Sequence, residues 1–318
     1  MKIVQKYGGS SLANAERVRR VANRIKTDAE NNQMLVVVSA QGKTTDALTT
    51  LYRELSNTFP SRESDALLIA GEQASAALLA AALREIGCDA ISLNGMQIPV
   101  QVYGESGDGR IGRIDIARIR KEWNQGRIVV ITGFQGINEA GDFITLGRGG
   151  SDTSAIALAA AVKADRCMIF TDVDGVYSAD PRKIPSAVRF NSIHEDTMLN
   201  LALHGAKVLH PRAAALAKQY GVPTEILTSF SVYEGTVISS DAPRQTGVTM
   251  CNKADQLSMI TIVFKDHPSG DLLAVIWDTL CNSCFSLRFG ADILQALIPN
   301  EIAEDLLQQI HGVLYSKK

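Results

Sequence analysis

Cysteine is scarce in this chain of 318 residues. The five present, Cys88, Cys167, Cys251, Cys281 and Cys284, are odd in number and scattered. That does not describe a disulfide framework and suits a reducing compartment. Cys281 and Cys284 form a C-x-x-C, but no second pair and no nearby histidine accompany them. They are read as structural residues on a β-strand, not as a zinc or redox centre. An excess of charge is missing too: 32 basic and 34 acidic residues leave a net −2. That removes any electrostatic case for nucleic acid. No apolar run reaches the roughly 20 residues that span a bilayer. The opening MKIVQKYGG reads directly as a strand, not a signal peptide. A cytoplasmic protein with no membrane partner is expected.

Familiar motifs are lacking as well. GKT at 42–44 would be a P-loop only with a glycine five residues before Gly42, and Val37 stands there. GGSS after the first strand lacks the dinucleotide spacing. No serine or cysteine sits beside a histidine in a nucleophile motif. The five histidines show no metal-ligand spacing; His204 and His210, which flank Lys207, read as structural.

What remains is an ordinary globular balance, 46% hydrophobic and 21% charged, in alternating strand and helix patterns. Apolar runs at Met34–Val38, Arg127–Thr132 and CMIF (167–170) read as buried parallel strands. Between them lie helical patterns, such as Asp65–Ile86 closed by Gly87. A doubly wound α/β domain follows. A small, polar stretch at Ser239–Gly247 marks a boundary. Beyond it the pattern predicts a ferredoxin-like βαββαβ unit whose last strand is Val313–Tyr315. The domains are therefore placed at 1–240 and 248–318.

The densest chemistry lies in TLGRGGSDTSAIALAAAVKADRCMIFTDVDGVY, 145–177. Gly147, Gly149 and Gly150 make a loop that lets a ligand approach the backbone. Ser151 or Asp152 then caps a helix whose free N–H groups favour an anion. Arg148 adds a cation. Asp172 and Asp174 follow the next strand, at the end where α/β sheets collect ligands. Lys6 with Gly8–Ser11, Lys207 and Arg182 supply further positive charge and N–H-rich turns. Asp152, Asp172 and Asp174 could hold Mg²⁺, directly or through water. Phosphoryl transfer needs this equipment, because its catalysis is mostly positioning and charge neutralisation.

At this point the chain resembles the aspartate kinases of the amino-acid kinase superfamily. The matching stretches are KYGGSSL, VVVSAQGKTTDAL, GEQASAALL, ITGFQG, TLGRGGSDTSA, TDVDGVYSADPR and MLNLALHGAKVLHPRA, in order from residue 2 to about 240. The resemblance implies transfer of phosphate from ATP to L-aspartate, giving 4-phospho-L-aspartate on the way to lysine, threonine and methionine. It implies that Lys6 neutralises the moving phosphate, helped by Gly8, Gly9 and Ser10, and that Asp152 positions the reacting phosphate and metal. It gives Thr45, Glu72 and Arg148 to aspartate, with Arg148 on the α-carboxylate and Glu72 on the α-ammonium. It gives Thr171, Asp172, Tyr177, Arg182 and Lys207 to the nucleotide. It also implies an ACT-like C-terminal module. A single such βαββαβ unit exposes a sheet edge and one sheet face, which predicts a homodimer built at least partly through residues 248–318. Tyr7 stands where the family usually has Phe, and ILTSF (226–230) where it usually reads close to VRSSF. The family usually carries two tandem modules; residues 248–318 have room for one. Two other readings are a kinase for another small acid on the same fold, and an amino-acid sensor with an inactive kinase domain.

Overall fold

The computed structural model describes residues 1–230, 235–254, 256–281 and 283–315. They divide into two compact units, the first formed by 1–174 and 215–230, the second by 175–214 and 235–315. The chain runs through β1 (Lys2–Tyr7), α1 (Ala15–Asp28), β2 (Gln33–Val38), α2 (Thr44–Leu55), α3 (Arg62–Glu85), β3 (Ala90–Leu93), β4 (Val100–Tyr103) and β5 (Arg110–Ile114). It continues with α4 (Ala117–Trp123), β6 (Ile128–Thr132), β7 (Gln135–Ile137), β8 (Phe143–Thr145), α5 (Gly150–Val162) and β9 (Arg166–Thr171). Then come β10 (Ser192–His194), α6 (Glu195–Leu203), α7 (Pro211–Tyr220), β11 (Thr224–Thr228) and β12 (Gly235–Ser239). Last are β13 (Gly247–Ala254), β14 (Leu257–Val263), α8 (Gly270–Leu280), β15 (Ser286–Phe289), β16 (Ile293–Pro299) and α9 (Asn300–Tyr315).

In the first unit a parallel sheet runs β11-β9-β1-β2-β6-β3. β2 is apolar on both faces, and all of Met34–Val38 is buried. That is what a sheet covered by helices on both sides requires. α1 starts on Asn14, whose side chain accepts the Arg17 N–H. It buries Val18, Val21, Ala22 and Ile25, the stripe its periodicity predicts. α3 starts on a reciprocal Ser61–Ser64 capping box. It is the one described helix long and apolar enough to cross a membrane, contrary to the expectation of no such run. Half of that stretch is buried, with Leu79 and Leu83 in the sheet's core. A small sheet, β5-β4-β7-β8, stands over the other end of α3 around Val100, Val102, Ile144 and Leu146.

The expected cap of α5 needs correction. Gly149, at φ +69°, is the N-cap, so Ser151 and Asp152 fall inside the first turn. The left-handed glycine turns the chain, leaving those two side chains free for the cleft.

The second unit pairs β10 with β12 in parallel and folds β13-β14-β16-β15 into an antiparallel sheet under α8 and α9. The expected strand at Val313–Tyr315 is the last turn of α9. Ile302, Leu306, Ile310 and Val313 continue one helical stripe, and Gly312 does not break it because it faces open space. β13 occupies the sheet edge beside β14 instead. Cys281 and Cys284 are free and not on a strand: Cys281 ends α8 and Cys284 precedes β15. The units also divide elsewhere than at residue 240. Ala179 and Ile184 belong to the core that Ile260, Leu294 and Ile310 form, so 175–214 joins the second unit.

Candidate active site

Lys6 is the penultimate residue of β1, held between β2 and β9. Tyr7 stacks on Phe170 with ring centroids 4.6 Å apart, and its hydroxyl donates to Gln5 at 3.0 Å. The phenol is thus satisfied where the family's Phe would need nothing. Lys6 is almost buried, and its Nζ lies 2.6 Å from Asp152 Oδ1. The Gly8–Gly9 turn allows the approach of the loop after β2: a Cβ on Gly9 would sit 2.6 Å from the Ala40 carbonyl oxygen. A Cβ on Gly8 would fall 3.5 Å from Lys6 Nζ.

A cleft of about 850 Å³ opens here, lined by Lys6, Ser39, Thr45, Glu72, Phe134, Arg148, Ser151 and Asp152 among others. Thr45 sits half-buried in the first turn of α2. Glu72, in the middle of α3, is 3% exposed. One oxygen accepts the Ala40 N–H at 3.1 Å and the other has no partner. Burial pushes its carboxyl up to about 7, partly opposed by the Ala40 hydrogen bond. Arg148 stands between Gly147 (φ +71°) and Gly149 (φ +69°), exposed, with no ion pair among the described residues. Beside it the amides that open α5 have no partner within the helix. The cleft thus offers a paired lysine, a free guanidinium, a helix N-terminus and a buried carboxyl group with one unpaired oxygen.

Of the expected nucleotide residues, Thr171 ends β9 and donates to Asp172 at 3.0 Å. Ser10 is exposed in the turn after Gly9. Tyr177, Arg182 and Lys207 belong to the second unit. There Tyr177 bridges to Arg189, Arg182 forks onto Asp180 through two 2.9 Å hydrogen bonds, and Lys207 is exposed after α6.

The model of the amino acid kinase family matches residues 1–228. An aspartokinase of Bacillus sp. strain MGA3 is 45% identical over 99% of this chain and 78% of its own length. The chain belongs to the aspartokinases. The aspartokinase of Geobacillus stearothermophilus is 46% identical over 82% of the chain and 65% of its own length, so the chain spans just under two thirds of that relative. Among solved structures, aspartate kinase from Synechocystis superposes at TM-score 0.68, with 30% identity, over 99% of this chain and 70% of that one. Escherichia coli aspartokinase III, solved with aspartate and ADP, superposes at TM-score 0.83 over 99% of this chain and all of that one. At 21% identity that likeness speaks for the fold. Membership makes the chain an enzyme, a kinase.

Among the described residues no three His, Cys, Asp or Glu side chains gather as a metal cage. Asp152, Asp172 and Asp174 therefore do not form one, and holding Mg²⁺ directly or through water does not require it. Single carboxylates still fit Mg²⁺, which keeps water and takes one or two of them together with phosphate oxygens. Sequence reasoning missed Phe134 as a lining residue of this aspartokinase cleft and Asp65 buried behind its wall, and it read Ser151 only as a helix cap. One signal was readable: Asp65 and Glu72 share the α3 stripe with Leu68, Ile69 and Leu79, so two acids point at the core.

Proposed function

We infer that the chain transfers the γ-phosphoryl group of ATP to the side-chain carboxylate of L-aspartate, giving 4-phospho-L-aspartate. The observation that carries this is one cleft holding the Lys6–Asp152 pair, the free Arg148 guanidinium and a half-satisfied buried Glu72. Those charges complement an α-amino acid with a second carboxylate. Arg148 grips the α-carboxylate through its planar fork. Glu72 takes the α-ammonium, and Thr45 adds a hydroxyl. An arriving ammonium favours the ionised form of Glu72 that burial disfavours. The attacking carboxylate is already ionised at neutral pH, so no general base is needed. Lys6 and the opening amides of α5 offset the repulsion between two anions as they meet. Asp152 holds the Lys6 ammonium in place.

Gly8, Gly9, Ser10, Thr171, Asp172, Tyr177, Arg182 and Lys207 are assigned to the nucleotide on the resemblance of their stretches. Mg²⁺ would be held by Asp152 and Asp172 with the phosphates, and it supplies charge neutralisation on them. Residues 1–240, which take in the first unit and part of the second, would carry the catalytic machinery, and 248–318 would act as an ACT-like module that pairs with a second copy. The scattered free cysteines support a cytoplasmic location, and the route to lysine rests on the family resemblance alone.

ATP turnover measured with aspartate, glutamate and acetylglutamate tests the substrate. ADP release that depends on aspartate is expected; equal rates with glutamate would overturn the choice. Arg148→Ala should raise KM for aspartate about tenfold or more and leave that for ATP within about twofold. Arg148→Lys should not restore it, because an ammonium lacks the fork.

A further inference from the structure

Asp65 has no solvent exposure, yet its carboxylate meets no cation among the described residues. Three hydrogen bonds satisfy it instead. Oδ1 accepts from the Thr145 hydroxyl at 2.7 Å; Oδ2 accepts from the Thr145 N–H at 3.0 Å and the Gly107 N–H at 3.1 Å. The start of α3 does not need this acid, since Ser61 and Ser64 already cap it. Its donors lie on two other segments: the tip of the β4–β5 hairpin and the end of β8. Those segments touch. The Gly109 N–H donates to the Thr145 carbonyl at 2.9 Å, and a Cβ on Gly147 would lie 2.5 Å from the Gly107 oxygen. Arg148 follows three residues after Thr145. Glu72 lies seven residues along from Asp65 on the same face of α3, about two turns away.

We propose that Asp65 is a positioning residue that fixes the Gly107–Arg148 wall of the cleft against the helix carrying Glu72, and so sets aspartate affinity without touching the substrate. This rests on the assignment of Arg148 and Glu72 to aspartate. Glu72 is built on α3, and Asp65 ties Arg148 to the same helix. A bidentate grip tolerates little misplacement of its guanidinium, so loosening this tie acts on aspartate before it acts on ATP.

The chemistry of the carboxylate gives its own control. In Asp65→Asn the remaining oxygen can accept both amides, while the new Nδ2 donates to the Thr145 hydroxyl, which can accept. Asp65→Ala removes all three bonds. In the full chain, Asp65→Ala should raise aspartate KM about tenfold, with ATP KM within about twofold. Amide exchange over 104–109 and 143–149 should speed up in parallel. Asp65→Asn should return both readouts to within about threefold of the parent. Faster exchange with unchanged aspartate KM, an equal rise for ATP, or an Asn variant as impaired as Ala would each overturn the proposal. If the Ala variant does not fold, Thr145→Val removes the hydroxyl alone. It should raise aspartate KM about twofold to fivefold, and no rise would overturn the proposal. Arg148→Ala with unchanged aspartate KM would instead sink the assignment of the clamp. That failure is distinct from one at Asp65, whose mark is exchange and KM moving together in Ala and returning in Asn.

Discussion

Lys6 shows what a single charge does when its surroundings hold it still. Strand neighbours on both sides fix its backbone, and Asp152 fixes its ammonium. Lys6→Ala should lower kcat about 10²–10³-fold, the size of one lost charge-stabilising donor. Near-normal kcat, with the fold checked by circular dichroism, would remove Lys6 from the chemistry. Glu72 predicts a pH effect of definite sign. Its carboxyl, ordinarily at 4.5, is pushed up to about 7 by burial. Below pH 4.5 it is protonated in folded and unfolded chains alike and costs nothing. Between 4.5 and about 7 the unfolded chain ionises it first, so stability falls; above about 7 the loss, on the order of 3 kcal/mol, is complete. Glu72→Gln should therefore gain stability at pH 8, flatten the profile between 4.5 and 7, and raise aspartate KM. Parallel pH profiles of the two proteins in urea melts would refute the burial argument. Lys6, Arg148 and Asp152 were legible because charges at strand ends and glycine loops stand out locally. Glu72 was found only through the family resemblance: a lone acid on an alanine-rich helix looks solvated unless its place on the stripe of Leu68, Ile69 and Leu79 is noticed.

The elements were legible where one period dominated. β2, β6 and β9 read as continuous apolar runs, and α1 as a clear stripe, because a covered sheet and its helices impose those patterns. Errors arose where one residue type fits two structures. Ser151 is a good cap, but Gly149 reached the left-handed turn first. Val313–Tyr315 read as a short strand, but its residues continue the apolar stripe of α9, which runs to Tyr315. Close approaches between loops leave almost no trace in sequence, and Gly9 is one such case. A Cβ there would meet the Ala40 carbonyl oxygen at 2.6 Å, backbone against side chain with no flexible end to yield. Gly9→Ala should cost about 1–3 kcal/mol and spread the two loops that bring Lys6 and Glu72 together. A melting temperature within about 1 °C of the parent would show that the loops yield freely.

At the scale of the whole molecule, the second unit carries apolar surface that its own core does not use. Val275 and Trp277 on α8, and Phe285 and Phe289 at β15, are 46–71% exposed. β15 is also an edge of its sheet, with backbone groups on its outer side that can pair with another strand. Phe289, on that edge strand, keeps an aromatic ring partly in water. A second copy would satisfy this edge, because a two-fold contact would set the same strand and its Phe289 against themselves. The full chain should sediment as a dimer at micromolar concentration. Phe289→Glu would place like charges across the two-fold axis, and it should shift the chain to monomer while leaving the first unit's melting unchanged. Phe289→Leu, which keeps an apolar contact, should remain dimeric. A parent chain that sediments as a monomer, or a dimer indifferent to Phe289→Glu, would place self-association elsewhere or nowhere.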